Sequence, residues 1–95
     1  MKIIELDLTE CKYLFDIHER IRIAFNFPEW YGNNWSAFWD LLRSECDADK
    51  VVIKGINGLS NEFDWHLKKL FEILERNIIF RQKLSLDPFS YEIIN

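Results

Sequence analysis

The sequence predicts an α/β domain, a small three-stranded parallel sheet packed with helices in the order β-α-α-β-α-β. Three observations carry that prediction. Short apolar or β-branched runs stand near both ends and in the middle of the chain, at 2–6, 50–54 and 89–94. The segments between them repeat apolar residues at helical steps of three and four. Strands separated by helices favour parallel pairing through right-handed crossovers. At 95 residues the whole chain, 1–95, reads as one domain. An aromatic fraction of 16%, with 4 Trp and 8 Phe, gives so short a chain enough bulk for a core.

The first strand holds Ile3 and Ile4 and ends at Asp7; its apolar run places it in the middle of the sheet. A helix is expected from Cys11 to Phe25. Leu14, Ile17, Ile21 and Ala24 form its apolar face, and Glu19, Arg20 and Arg22 occupy the others. Thr9 is a candidate cap, but Lys12 rather than an acid follows three residues later, so no capping box is expected. Pro28 closes the helix.

The linker Pro28-Glu29-Trp30-Tyr31-Gly32-Asn33-Asn34 then makes a turn, with Asn33 or Asn34 as the next N-cap. The second helix runs from Trp35 to about Glu45. Trp35, Phe38 and Leu42 share one side, Ser36, Asp40 and Arg43 a polar neighbouring side, and Trp39 lies between. Val51, Val52 and Ile53 make the second strand, followed by a loop at 56–60. Phe63, Leu67, Leu70, Phe71 and Leu74 stripe a third helix that begins after Asn61 and reaches about Asn77. The stretch 78–86 is compatible with more helix, an irregular connection or an edge strand. Beyond Pro88, alternating Phe89, Tyr91 and Ile93 give the last strand.

Composition narrows function. The net charge of -4 disfavours direct nucleic-acid binding and suits a basic partner protein. The linker and second helix supply only Arg43 as a cation near their aromatics. Cys11 and Cys46 make no disulfide scaffold, and no secretory signal or membrane-spanning run is present, so free thiols in the cytoplasm are expected. Gly32, Gly55 and Gly58 fit no phosphate loop, and His18 and His66 have no metal-site spacing. Neither metal nor cofactor is expected. Both histidines read as helix-surface or core-edge residues, and an enzyme built on a cysteine and a histidine has no local signature.

The run from Trp30 to Asp40 is the unusual feature. Trp35 reads as core, whereas Trp30 and Tyr31 sit in a polar turn, where chains run over the surface. Trp and Tyr are favoured at interface hot spots. An exposed Asp40, one turn after Ser36 and bordered by aromatics, suits a basic pocket on another protein.

These residues carry a resemblance. Phe15-Asp16-Ile17-His18, the linker Pro28–Asn34 and the run Trp35-Ser36-Ala37-Phe38-Trp39-Asp40-Leu41-Leu42 resemble the barstar family of ribonuclease inhibitors, with the strong match covering about a third of the chain. The resemblance implies a barstar-like fold and a protein that blocks a microbial ribonuclease inside the cell that makes it, in a 1:1 complex. It places the linker and second helix in the nuclease active site, with Asp40 meeting the cations that hold RNA phosphate. Tyr31, Gly32, Asn34 and Trp39 match the family directly, and Trp30 stands where the family's inhibitor has tyrosine. The partner surface so implied comprises Trp30, Tyr31, Gly32, Asn34, Ser36, Trp39, Asp40 and Arg43. Ser36 replaces a family aspartate, and the position of a further interface glutamate falls near Ile73, beside Glu72 and Glu75. Those departures keep two alternatives open, an immunity protein against a non-ribonuclease toxin and a protein-binding module without inhibitory action.

Overall fold

The computed structural model describes residues 2–94. In chain order it contains β1 (Ile3–Asp7), α1 (Leu14–Phe25), α2 (Trp35–Glu45), β2 (Lys50–Lys54), α3 (Asp64–Lys83) and β3 (Ser90–Ile93). The three strands form one parallel sheet in the order β1-β2-β3, with Ile4 opposite Val51 and Val51 opposite Tyr91. The expected order β-α-α-β-α-β is the observed one.

The expected central position of the first strand is not observed: β1 is an edge, and β2 lies between its two neighbours. Only alternate residues of β1 are buried, Ile4 and Leu6, while Ile3 and Glu5 face outward. One sheet face therefore packs on the helices through Ile4, Leu6, Val51 and Ile53. The other carries cross-strand ion pairs, Lys54 to Glu5 at 2.6 Å and Lys50 to Glu92 at 3.4 Å. Against the covered face stand Ile17 and Ile21 of α1, Phe38 and Leu42 of α2, and Leu70 and Leu74 of α3, all fully buried. Each such side chain contributes roughly 1.5–3 kcal/mol of transfer free energy.

Helix α1 starts at Leu14 rather than Cys11. Asp16 is the reason: its Oδ2 accepts the backbone N–H groups of Lys12 and Tyr13, at 3.0 and 2.9 Å, and caps the helix there. Thr9 does not cap it; its N–H donates to Asp7 Oδ1 at 2.9 Å. The helix ends at Asn26, whose φ of 56° is left-handed, two residues before Pro28. Gly55 follows β2 with a φ of +86°, and a Cβ there would sit 2.4 Å from the backbone nitrogen of Thr9. That crossing of the first and second connections requires glycine.

Two short 3₁₀ turns, Ile56–Gly58 and Asn61–Phe63, lead into α3. This helix continues through the segment the sequence left open and stops at Lys83, where Ser85 turns left-handed with a φ of 53°. Among the described residues no helix is long and apolar enough to cross a membrane.

Candidate functional site

The linker after α1 is held by its own backbone. The N–H of Tyr31 donates to the Pro28 carbonyl at 3.0 Å, and that of Gly32 to the Trp30 carbonyl at 2.8 Å. Gly32 and Asn33 are both left-handed, with φ of 35° and 46°. Asn34, rather than Asn33, is the N-cap: its Oδ1 accepts the Ala37 N–H at 2.8 Å while its Nδ2 donates to the Gly32 carbonyl at 3.0 Å. One side chain thus ties the turn to the first turn of α2.

That turn sends adjacent aromatics in opposite directions. Trp30 is 75% exposed and rims a groove of about 520 Å³ shared with Phe15, Arg22, Glu29 and Gly32. Tyr31, expected at the surface, is instead only 1% exposed, with its hydroxyl 2.8 Å from His18 Nδ1 and its ring against Phe27. The polar handle that suggested an interface is satisfied inside the molecule. His18 is likewise fully buried rather than at a helix surface or core edge. Burial, with a smaller contribution from His66, lowers its pKa to about 4, and burial raises that of the Tyr31 phenol. Both groups are neutral at neutral pH.

The other predicted residues gather along α2. Trp35 is half-buried; its indole N–H donates to His66 Nδ1 at 3.1 Å, and its ring lies 4.5 Å from that of His18. It therefore spans the core and a second groove of about 360 Å³ between α2 and α3. From α2, Ser36, Trp39 and Asp40 line this groove; from α3 come Trp65, Lys69, Glu72, Ile73 and Arg76. Trp39 packs edge-on against Phe80 at 5.8 Å and carries two guanidinium groups, Arg43 at 5.8 Å and Arg76 at 5.2 Å. Asp40 is exposed and receives a 3.0 Å bond from Arg43. Exposed pairs of this kind are worth at most about 1 kcal/mol, so an incoming cation can displace Arg43 at little cost.

The predicted surface is thus two neighbouring features. Trp30 and Gly32 belong to the first groove, while Ser36, Trp39 and Asp40 belong to the second, with Arg43 on the flank of Trp39. Asn34 joins the two, and Tyr31 supports them from below. The α3 wall, with Trp65, Lys69 and Arg76, had no part in the sequence expectation. Its spacing of 65, 69, 72 and 76 is a helical row, but nothing local to the sequence says that this row faces α2. Glu72 and Glu75, on either side of Ile73 in the chain, have different partners. Glu72 lines the groove, whereas Glu75 accepts the Tyr91 hydroxyl at 2.8 Å beside β3.

Among the described residues no group of three or more His, Cys, Asp or Glu side chains is placed to hold a metal. Burial pushes both the Cys11 and the Cys46 thiols up, away from the thiolate a nucleophile needs. What the two grooves present is aromatic side chains beside the exposed carboxylates of Glu29, Asp40 and Glu72.

Comparison with protein families finds that residues 1–84 match the family described as Barstar (barnase inhibitor). Comparison with curated proteins finds no match.

Proposed function

The chain belongs to the barstar family, and on that premise we propose that it is an intracellular inhibitor of a microbial ribonuclease toxin. In this reading α2 enters the nuclease active site and Asp40 takes the place of an RNA phosphate. The observation that carries the proposal is the setting of Asp40, an exposed carboxylate at the rim of a groove walled by Trp35, Trp39 and Trp65.

The physics favours tight and fast capture. Arg, Lys or His⁺ groups of an RNA-binding site form charge-assisted hydrogen bonds to a carboxylate, and the indole rings exclude water from them. Trp39 needs little ordering on binding, because Phe80, Arg43 and Arg76 already fix its ring. Trp30 adds a second contact, displayed by the left-handed turn at 32–33. Complementary charge between the acidic inhibitor and a basic nuclease raises the association rate. Rapid capture is useful where the target damages the cell that makes it.

The test is titration of a barnase-type microbial ribonuclease, with complex mass from light scattering and cleavage of a fluorogenic RNA as readouts. A 1:1 complex without nuclease activity is expected. Asp40→Ala should lose about 30-fold or more in affinity while keeping its fold, since a hot spot is worth about 2 kcal/mol or more. Equal affinity for the wild type and D40A would remove the phosphate-mimic role.

A further inference from the structure

Five charged side chains surround the Trp39 end of the α2–α3 groove, and they do not balance. Arg43 pairs with Asp40 at 3.0 Å and Lys69 with Glu72 at 3.7 Å. Arg76 pairs with no carboxylate among the described residues; its guanidinium lies over Trp39 instead, 5.2 Å from the ring centroid. Arg76 is thus the one of these five charged groups that has no ion-pair partner among the described residues. Stacking on an indole orients a guanidinium without neutralising it, and leaves the N–H donors in its plane available.

A partner that covers Asp40 and Trp39 must also cover Arg76, because the same indole ring carries it. Taking an unpaired guanidinium out of water against a uniformly basic surface would oppose binding, through desolvation and like-charge repulsion together. We infer that the target presents a carboxylate opposite Arg76, adjoining the cationic pocket that receives Asp40. This rests on the inhibitor reading and specifies the partner's chemistry. RNA cleavage supplies such a juxtaposition where a carboxylate serves as the general base that takes a proton from the attacking hydroxyl, beside the cations that hold the phosphate. A fixed, planar guanidinium meets a carboxylate in two parallel hydrogen bonds. Arg76 is then a specificity determinant: it favours nucleases that offer an acid at this point and disfavours those whose site is basic throughout.

The experiment measures binding of Arg76→Met, Arg76→Glu and Asp40→Ala proteins to the same barnase-type ribonuclease, with circular dichroism to verify folding. R76M keeps the apolar stem on Trp39 and removes the charge. It should weaken binding about 30-fold or more, chiefly through faster dissociation. R76E should be weaker again by about 10-fold, and reversing one acidic residue in the nuclease active site to lysine should restore R76E binding. R76E binding as tightly as wild type, with D40A still impaired, would overturn the acidic contact and leave the inhibitor reading standing. No complex with the wild-type protein would overturn both. A short labelled single-stranded RNA bound by the free protein and released by R76E would make phosphate the ligand, and would also overturn the proposal.

Discussion

Trp30 and Tyr31 are neighbours in the chain with opposite tasks, and the difference lies in backbone conformation. With Gly32 and Asn33 both left-handed, the linker neither alternates like a strand nor repeats like a helix. Composition therefore identified an aromatic turn correctly while missing that Tyr31 points inward to His18. The consequence is a clean separation of stability from binding. Tyr31→Phe keeps the ring and strands the Nδ1 of a buried histidine, so it should lower unfolding free energy by about 1–2 kcal/mol in urea titrations. On the inhibitor reading its affinity for the target should stay within about 2-fold of wild type, because the phenol is buried and bonded to His18. A Tyr31→Phe protein as stable as wild type but poor in binding would return this residue to the interface. The exposed position of Asp40, by contrast, was legible from its helical spacing, one turn after Ser36.

Helix α3 shows why element boundaries were harder to read than elements. Its apolar stripe is visible to Leu74, and Asn77 then looks like an ending. The helix runs on because 78–83 contain neither Gly nor Pro, and the buried row continues through Asn77 to Arg81. Arg81 is satisfied, donating to the Cys46 carbonyl at 3.0 Å and lying over Phe89. Asn77 is different. It is fully buried, and neither amide atom has a partner among the described residues. An unpaired buried amide costs free energy that an apolar group of similar shape does not. Asn77→Leu should therefore stabilise the protein by about 1 kcal/mol or more, read as a higher urea midpoint with an unchanged slope. A loss of stability would mean that the amide is paired in solution. Strand order is a limit of the same kind. The run at 3–6 is as apolar as an interior strand, and its edge position follows from pairing with β2 alone.

At the scale of the whole molecule, one aromatic and imidazole chain ties the linker to every helix. His18 on α1 meets Tyr31 of the linker and Trp35 of α2, and Trp35 donates to His66 of α3. The surface carrying Asp40 thus stands on a buried imidazole that must remain neutral. With its native pKa lowered to about 4 against an ordinary 6.5, His18 binds a proton in the unfolded chain before it does so in the folded one. Stability therefore rises with pH across that interval. The contribution is fully present above about 6.5, declines as pH falls, and reaches its limit near 4, where both states are protonated. The difference in pKa is worth about 3 kcal/mol over the whole window. Asp7, Asp16 and Asp47 act in a separate range. Their hydrogen bonds lower their pKa values below the ordinary 3.8, so their contribution is lost only as pH falls further. A descent that begins near pH 6.5 consequently belongs to the histidine. Urea unfolding followed from about pH 7 to about pH 4 should show that descent in the wild type and a nearly flat profile in His18→Gln, even if the variant starts lower. If the two profiles fell in parallel, acid sensitivity would lie elsewhere, and the aromatic chain would be a packing feature without a titrating centre.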